Sequence, residues 1–281
     1  MKARALMAEA ASRLEAARIP EPAREAETIV LALAGIGRTA LWRDDPTLTP
    51  DEATRIREAA ARRASREPLQ YILGHLEFMG MRLRVSPDVL VPRPETELLV
   101  EAVLARLPGD LQLHALDLCT GSGAIALALA KARPGWRLTA TDISAPALAL
   151  AAENARAVGA EAVRFMEGDL YAPLKGERFG LIASNPPYVP SSDIDALEPE
   201  VSQHEPRLAL DGGPEGLDFH ARIIGGTGEM LTAGGGMVAL ELGIGQAGAV
   251  SAMAREQGIV EIEVLDDYAG IPRVLLGRKP A

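Results

Sequence analysis

The sequence predicts an α/β protein in which a small N-terminal helical domain, residues 1–75, is joined by a β-hairpin, residues 76–93, to a doubly wound parallel sheet in residues 94–281. Three observations predict this fold. The first 75 residues are rich in Ala, Leu, Arg and Glu, a short apolar stretch of period two follows, and apolar runs then alternate with Ala-rich segments. We assign seven runs to strands, near residues 112–118, 137–141, 162–166, 179–184, 236–241, 260–265 and 273–277.

Start and stop signals divide the helical region. Pro22 opens a segment that runs through REAETIVLALA to Gly35, a residue type that favours a helix end. In the stretch TPDE, Thr49 is placed as an N-cap, Pro50 occupies the first helical position and Glu52 closes a capping box. We therefore expect separate helices with defined starts.

The connector reads LEFMGMRLRVSPDVLVPR. Its apolar residues Phe78, Met81, Leu83 and Val85 recur with an approximate period of two around Gly80. This alternation predicts a β-hairpin.

Composition and charge exclude several classes of protein. Of the 281 residues, 48% are hydrophobic and 24% are charged, as in a globular protein without a membrane span. The N-terminus has neither a signal-peptide nor a transit-peptide pattern, and we expect a cytoplasmic protein. One cysteine, Cys119, excludes an intramolecular disulfide, and the four histidines lack ligand spacing, so no metal site is expected.

The net charge of −10 is unevenly distributed. Residues 1–75 carry 12 basic and 11 acidic side chains, which leaves 17 basic and 28 acidic ones for the remainder. Duplex nucleic acid is bound through clustered Lys and Arg. The acidic balance of the larger domain therefore weighs against duplex DNA as a partner.

The segment LHALDLCTGSGAIALALA predicts a strand, a glycine turn and a helix. Gly121 and Gly123 lack a Cβ, so the backbone turns tightly and approaches a ligand, while the following helix offers its N-terminal N–H groups. Asp117 precedes this turn, Asp142 ends the next strand, and Asp169 follows the third. Singly, these acids are equally well explained as turn caps or a solvated loop acid. Together they favour a binding site at one sheet edge.

Two cofactor classes fit this loop. Position 126 is alanine, which a relaxed dinucleotide fingerprint permits, so a pyrophosphate stays an alternative. An acid in front of the glycines is a poor neighbour for pyrophosphate and a good one for the ammonium or hydroxyl groups of S-adenosylmethionine. The second motif of the chain favours S-adenosylmethionine.

That motif is NPPY, at the end of the fourth predicted strand. Pro186 and Pro187 fix φ and donate no hydrogen bond, so the carbonyl groups here are rigid and free to accept. Asn185 adds a side-chain acceptor, and the ring of Tyr188 offers a flat packing surface. Two fixed acceptors match the two N–H donors of a primary amide or an exocyclic amine. As a bare tetrapeptide, NPPY is usually a simple turn.

Such a site has a chemical purpose. An amide nitrogen is a weak nucleophile because its lone pair is delocalised into the carbonyl group. Two acceptors pull on its N–H bonds and return electron density to nitrogen. Alignment with a sulfonium methyl adds a proximity term of at most ~7 to 11 kcal/mol, and no general base is obligatory.

Six segments in residues 68–278 share an order with a known family: PLQYILG, VLVPRPETELLV, DLCTGSGAIALALA, SNPPYVP, EVSQHEPRLALDGGPEGLDFHARII and AGIPRVLLGR. They resemble the class I S-adenosylmethionine-dependent methyltransferases, and within them the protein-(glutamine-N5) methyltransferases of peptide chain release factors (HemK/PrmC family). The resemblance implies a Rossmann-like seven-stranded methyltransferase sheet. NPPY alone is shared with adenine-N6 DNA methyltransferases, whereas EPRLALDGGPEGL and VPRPETE favour the narrower family.

The resemblance also implies roles for single residues. The loop from Thr120 to Gly123 borders the methionine end of the cofactor, Asp142 binds its ribose, and Asp169 or Leu170 contacts its adenine. VPRPETE closes over the methionine moiety or is simply a hairpin exit with Pro94 at a helix start. The predicted cofactor-binding residues are Asp117, Cys119, Thr120, Gly121, Ser122, Gly123, Asp142, Asp169, Leu170 and Asn185. The predicted catalytic residues, which hold the glutamine amide, are Asn185, Pro186, Pro187 and Tyr188.

One residue departs from the pattern of the family, and two acidic residues have an open interpretation. Cys119 stands where the family often has glycine, and the loop is strained if that position needs a positive φ. A catalytic role for this thiol is disfavoured because the sequence places no histidine partner near it. Glu198 and Glu205 are interpreted either as part of the site or as solvated loop acids.

The expected function is methyl transfer from S-adenosylmethionine to the glutamine of the Gly-Gly-Gln loop of release factors, with the helical domain helping to grip that protein. One alternative is an adenine-N6 methyltransferase acting on nucleic acid, which requires salt-sensitive DNA binding. A second is a non-catalytic binding module, against which the intact glycine loop and NPPY argue. A dehydrogenase is a distant alternative that requires a nicotinamide cofactor.

Overall fold

The chain, seen in a computed structural model, forms two compact units. One contains Met1–Leu76 together with Glu198–His204, and the other contains Glu77–Leu197 and the residues from Glu205 onward. The structure describes residues 1–109 and 111–280, so Asp110 and Ala281 within the predicted sheet region lie outside the described residues. Across the described ranges, no helix combines the length and hydrophobicity required to cross a bilayer.

The first unit is built from short helices. In chain order they are α1 Ala3–Ala16, α2 Pro22–Ala34, α3 Arg38–Arg43, α4 Pro50–Ala64 and α5 Leu69–Leu73. The predicted capping box is confirmed: Glu52 N donates to Thr49 Oγ1 at 3.3 Å, and Thr49 N donates to Glu52 Oε2 at 2.7 Å. Gly35 ends α2 in the left-handed conformation that favours glycine, as predicted.

The predicted hairpin is also confirmed. It consists of β1 His75–Phe78 and β2 Met81–Arg84, which pair in a two-stranded sheet. Met79 and Gly80 form the turn with φ of 48° and 70°, the double positive φ of a tight hairpin turn. All four apolar residues of the period-two pattern are buried.

The second unit carries the seven-stranded sheet, whose order is β5-β4-β3-β6-β7-β9-β8. All seven predicted strands are present. The strands are β3 His114–Leu118, β4 Arg137–Asp142, β5 Arg164–Glu167, β6 Leu181–Ser184, β7 Met237–Glu241, β8 Val260–Asp266 and β9 Pro272–Arg278. The helices that alternate with them are α6 Pro94–Arg106, α7 Ala124–Ala132, α8 Ala145–Val158, α9 Pro199–Ser202, α10 Asp218–Met230 and α11 Ala247–Glu256, of which α9 lies in the segment assigned to the first unit.

The doubly wound sheet is parallel as predicted except at one edge. The pairs from β5 through β7 are parallel, but β9 runs antiparallel to both β7 and β8. Only residues 267–271 connect β8 to β9. A parallel pair needs a crossover of about a dozen residues, so this short connection forms a hairpin and reverses the strand.

The central strands are buried on both faces, which explains their continuous apolar sequences. Every residue of β6 and β7 is buried, and Phe179, Ile182 and Leu240 belong to the main apolar cluster. Because β3, β4, β5 and β6 are parallel, the loops that follow them meet at a single sheet edge. This arrangement brings the glycine loop, the acids and NPPY together.

Candidate active site

A cavity of about 360 Å³ opens at the carboxyl edge of the parallel strands. Its wall includes nine of the residues predicted from the sequence: Cys119, Thr120, Gly121, Ser122, Asp142, Asp169, Leu170, Asn185 and Pro187. The other four predicted residues, Asp117, Gly123, Pro186 and Tyr188, lie outside its lining. Further wall residues come from the hairpin exit, from the segment after α9 and from α10, among them Pro92, Thr96, Leu208, Phe219 and Arg222.

The glycine loop between β3 and α7 is sharply turned. Cys119, Gly121 and Gly123 have φ of 57°, 54° and 86°. The φ of Gly123 favours glycine, and a Cβ there would also lie 3.1 Å from Leu127 Cδ1, a tight contact. Position 119 does require positive φ, and its cysteine is therefore strained by an amount on the order of 1 kcal/mol.

Asp117 stabilises the glycine loop through hydrogen bonds to one of its carboxylate oxygens. Its carboxylate Oδ2 accepts from Thr120 Oγ1 at 2.6 Å and from Ala126 N at 3.1 Å, and the residue is fully buried. Burial raises the pKa of Asp117 to about 7, while these two hydrogen bonds lower it. Its Oδ1 has no partner within the described chain. Asp117 therefore fixes the loop and holds one spare acceptor close to it.

Asp142 joins two of the loops in the cavity wall. Oδ2 accepts from Gly121 N at 2.8 Å, and Oδ1 accepts from Ser144 N at 2.9 Å. Burial raises the pKa of this carboxyl, whereas the backbone N–H donors lower it. Each oxygen retains acceptor capacity because a carboxylate oxygen takes more than one hydrogen bond. This geometry suits a ligand with adjacent hydroxyl groups.

Asp169 and Leu170 form the far wall. Asp169 pairs with Arg222, the N–O distance being 2.7 Å, and both side chains are half-exposed. Leu170 is buried, has φ of 50° and accepts from Thr141 Oγ1 through its carbonyl at 3.3 Å. A second non-glycine residue with positive φ thus lines the cavity, beside an exposed ion pair.

Asn154 on α8 is a supporting residue that sequence reasoning missed. It is fully buried, its Nδ2 donates to the carbonyl groups of Ser122 at 2.9 Å and Arg84 at 3.0 Å, and its Oδ1 accepts from Arg84 N at 2.7 Å. It thereby links the glycine loop to β2. The available signal was a poor helix former inside an Ala-rich helix.

The amide of Asn185 belongs to a buried network. Asn185 Nδ2 donates to Thr96 Oγ1 at 3.1 Å, and Thr96 Oγ1 donates to Glu241 Oε2 at 2.6 Å. Tyr188 OH donates to Glu241 Oε1 at 3.1 Å. Glu241, at the end of β7, is 1% exposed, and burial raises its pKa to about 7.

Sequence reasoning missed both partners of this network. Thr96 lies inside the quoted segment VPRPETE, but nothing in its spacing indicates a contact with NPPY. Glu241 had a recognisable signal, because a carboxylate is rarely found in an apolar strand such as MVALE without a partner.

The backbone of NPPY leaves acceptors free. Within the described residues, the carbonyl groups of Pro186 and Pro187 accept no hydrogen bond, whereas that of Tyr188 accepts from Gln246 Nε2 at 2.8 Å. Burial raises the pKa of the Tyr188 phenol, which keeps it protonated as a donor to Glu241. The hydroxyl of Tyr188 is thus committed to the protein interior.

Glu205 is not a solvated loop acid. Its side chain is 1% exposed, and both of its oxygens lie 2.7 Å from Arg93 Nη2. Burial raises its pKa against the effect of that guanidinium. Glu198, in contrast, is exposed. Pro94 occupies the first helical position of α6, as predicted, so VPRPETE combines a helix start with cavity-lining residues on either side of Pro94.

Cys119 is held as a neutral thiol. Burial raises its pKa, and the neighbouring carboxylates of Asp142 and Asp117 raise it further. The thiolate is the nucleophilic form, so this residue is unsuited to covalent catalysis. In the portion of the chain that the structure describes, no group of three or more His, Cys, Asp or Glu residues is arranged to hold a metal ion.

Known proteins match this chain in both parts. Residues 5–74 match the PrmC N-terminal domain family, and residues 94–212 match the methyltransferase small domain family. The release factor glutamine methyltransferase of Geobacter sulfurreducens is 46% identical over 255 residues, which cover 90% of this chain and 88% of that protein. The release factor glutamine methyltransferase of Moorella thermoacetica is 44% identical over 279 residues, 98% of each chain.

Solved structures agree at the level of the fold. The crystal structure of a methyltransferase from Pyrococcus furiosus superposes with a TM-score of 0.56 at 19% identity, covering 83% of this chain and 100% of that one. The two curated relatives extend the likeness over nearly the whole sequence, through the helical part as well as the sheet. The chain belongs to the release factor glutamine methyltransferase family (PrmC/HemK) of class I S-adenosylmethionine-dependent methyltransferases.

Proposed function

We propose that this protein transfers a methyl group from S-adenosylmethionine to the side-chain amide nitrogen (N5) of the glutamine in the Gly-Gly-Gln motif of peptide chain release factors. The observation that carries the proposal is the pairing of Asn185 Nδ2 with Thr96. This hydrogen bond uses the NH2 group of the Asn185 carboxamide. The Oδ1 of Asn185 is left as an acceptor, and Asn185 lines the cavity. The relatives named release factor glutamine methyltransferase support the choice of substrate.

The residues of the cavity fit S-adenosylmethionine. A volume of about 360 Å³ lies within the range of small-molecule sites. The two backbone-anchored oxygens of Asp142, which lines the cavity, supply negative charge and acceptors for hydroxyl groups. Ile125, Ile143 and Leu170 provide apolar wall for a flat ring. When bound, this cofactor supplies a methyl group on a sulfonium, which is electrophilic enough for a weak nucleophile.

The protein's own contribution to the reaction is to hold the amide. The Asn185 Oδ1 and the free carbonyl of Pro186 or Pro187 offer two acceptors, which match the two N–H donors of a glutamine side chain. Proline fixes φ, so the carbonyl positions are rigid before the substrate arrives. Two accepted hydrogen bonds draw electron density towards the amide nitrogen and orient its lone pair. Such preorganised groups lower the barrier without reorganising during the reaction.

No protein base has to remove a proton before methyl transfer. The amide nitrogen attacks while it still carries both hydrogens, and the N-methylated cation is a strong acid that releases one afterwards. The acceptors of NPPY stabilise the positive charge that develops on those N–H groups. The neutral thiol of Cys119 and the protonated phenol of Tyr188 take no part in proton removal.

The test is transfer of a labelled methyl group from S-adenosylmethionine to three acceptors: a purified release factor, the same factor with its Gly-Gly-Gln glutamine changed to alanine, and duplex DNA. We expect label in the first acceptor alone. Label in DNA supports an adenine methyltransferase instead, and equal label in both forms of the factor contradicts the assignment of the glutamine.

A further inference from the structure

The buried network behind NPPY connects three separate parts of the fold. Glu241 ends β7, Thr96 lies in the first turn of α6, and Asn185 follows β6. Both oxygens of Glu241 are engaged, Oε2 by Thr96 at 2.6 Å and Oε1 by Tyr188 at 3.1 Å. Glu241 and Thr96 are 1% and 3% exposed, so solvent does not replace these contacts. The Glu241 carboxylate therefore contacts Tyr188 directly and Asn185 through the hydroxyl group of Thr96.

The chemistry of the three groups fixes the direction of each hydrogen bond. An ionised carboxylate only accepts, so the single hydroxyl hydrogen of Thr96 must point to Glu241. The Thr96 oxygen is then left with lone pairs alone, and the group of Asn185 that faces it must be the NH2 end. The carbonyl end of the Asn185 side chain is consequently turned away from Thr96, at a residue that lines the cavity.

We propose that Glu241 is a positioning residue that acts through Thr96 to hold the Asn185 carboxamide with its oxygen available to the substrate amide. The inference rests on the proposed function, because only a substrate that offers N–H donors requires this orientation. Glu241 does not touch the substrate, but it determines whether Asn185 offers the substrate a hydrogen-bond acceptor or a donor. The second contact of Glu241, with Tyr188, fixes the other end of NPPY in the same way.

Replacement by glutamine shows why a carboxylate is needed. A glutamine at position 241 has an NH2 group, which donates to Thr96 if it faces that oxygen. The hydroxyl hydrogen of Thr96 then turns towards Asn185, and the carboxamide reverses so that its oxygen accepts it. A reversed Asn185 presents N–H groups to the N–H groups of the substrate, which is repulsive. In that orientation, with the oxygen of the glutamine accepting from Tyr188, Glu241→Gln removes the acceptor without removing Asn185.

The protonation state of Glu241 controls the orientation of the Asn185 carboxamide. Its surroundings include the carboxylate of Glu95 on α6, the guanidinium of Arg273 on β9 and the phenol of Tyr188, while His220 on α10 bonds its backbone carbonyl at 2.8 Å. Burial is the largest influence on the carboxyl and raises its pKa to about 7. A protonated Glu241 is able to donate to Thr96, so the fixed direction is lost as the pH falls below that value. Activity should rise as the pH passes from about 6 to about 8.

The test compares wild type, Glu241→Gln, Thr96→Val and the double variant, with Glu263→Gln as a matched control. Glu263 pairs with Arg106 at the surface, away from the cavity. We expect kcat to fall about 10- to 100-fold in each single variant, the range for losing a charged hydrogen bond. The double variant should lose no more than either single one, because all three break one chain of contacts. Affinity for S-adenosylmethionine should remain near that of Glu263→Gln, whereas Thr96→Val should lower the melting temperature because it leaves a buried oxygen of Glu241 without its hydroxyl donor.

A second readout is independent of turnover. The side-chain amide signals of Asn185 are followed by nuclear magnetic resonance in the free protein, assigned by their loss in Asn185→Asp. In wild type they should shift with a midpoint near the pKa of Glu241, and in Glu241→Gln that transition should be absent. Signals that do not respond to pH or to Glu241→Gln overturn the positioning role.

The two assays separate two kinds of failure. If the amide signals respond as expected but no release factor is methylated, the positioning of Asn185 stands and the proposed function fails. If the release factor is methylated and Glu241→Gln retains the wild-type kcat and pH profile, the function stands and the positioning role is overturned.

Discussion

Asp117 at the end of β3 and Glu241 at the end of β7 are both buried carboxyls with a pKa near 7, yet their environments differ. Asp117 uses a single oxygen for Thr120 and the backbone of Ala126, and its other oxygen is unpaired in the described part of the chain. Glu241 uses both oxygens for the hydroxyl groups of Thr96 and Tyr188. The glycine loop is therefore supported by a buried carboxyl with an unused oxygen, whereas NPPY is supported by a closed network.

The difference indicates how the two ends work. Around the glycine loop, Asp117, Asp142 and Asn154 bind mainly to backbone groups, whose donor and acceptor roles never change. Around NPPY, the contacts run through hydroxyl groups, which donate in either direction. The glycine-loop end therefore has a fixed set of donors and acceptors. At the NPPY end, the directions of the hydrogen bonds depend on the buried charge of Glu241.

The largest effect is expected at the NPPY end. Asn185→Ala removes the side-chain acceptor that orients the substrate amide and should lower kcat by about 100- to 1,000-fold, the range for losing one preorganised polar group. The initial rate of methyl transfer to the release factor measures it. Ser192→Ala, at an exposed residue just beyond NPPY, is the control. Equal rates for the two variants would remove Asn185 from the reaction.

The second largest effect is expected at the glycine-loop end, on cofactor affinity. Asp142→Asn replaces a carboxylate oxygen with an N–H donor, so one of the Gly121 and Ser144 donors loses its acceptor. We expect a 10- to 100-fold weaker affinity for S-adenosylmethionine, measured by titration calorimetry. Asp169→Asn, at a half-exposed ion pair, should have a smaller effect. A weaker affinity in Asp169→Asn than in Asp142→Asn contradicts this ranking.

Asn154 tests whether the loop end depends on backbone contacts. Asn154→Ala leaves buried groups of Arg84 and Ser122 unpaired and should lower the free energy of unfolding by about 2 to 3 kcal/mol. Denaturant unfolding measures it. Glu153→Gln, at an adjacent half-exposed position on the same helix, should remain within about 0.5 kcal/mol of wild type. A loss of similar size in both variants would show that Asn154 has no special role.

The smallest effect is a pH dependence of stability. The pKa of Asp117 is raised from 3.8 to about 7 by burial, so between these values the folded state binds more protons than the unfolded state. Its contribution to stability is therefore complete at low pH and is lost as the pH rises towards 7. Asp117→Asn keeps an oxygen for Thr120 and Ala126 but does not ionise.

Thermal melts check this difference. Between about pH 5 and about pH 8, the melting temperature of wild type should fall by about 5 °C more than that of Asp117→Asn. Identical pH profiles for the two proteins would mean that Asp117 ionises in the folded state as readily as it does in the unfolded chain.

Much of the fold follows from local sequence signals. The seven strands, the hairpin around Gly80 and the capping box of Thr49 all depend on residues close together in the chain, and each is present. The reversal of β9 was missed because apolar runs give no strand direction, although the short connection of residues 267–271 was a usable signal.

The candidate site was only partly predictable. Residues that follow parallel strands converge by topology, and nine predicted residues indeed line the cavity. The pairing of Thr96 with Glu241 spans 145 residues, and that of Arg93 with Glu205 spans 112. Such contacts depend on packing between α6 and distant segments, which no local pattern records. Glu205 was therefore open to misinterpretation as a solvated acid.

The most direct test of the account is fragmentation mass spectrometry of the release factor after reaction with S-adenosylmethionine and this protein. We expect a single added methyl group on the side-chain amide nitrogen of the Gly-Gly-Gln glutamine, formed about 100- to 1,000-fold more slowly when Asn185→Ala replaces wild type. A methyl group on a carboxylate, on a lysine or on the peptide backbone would contradict a site built from acceptors for a primary amide, as would an unmodified factor.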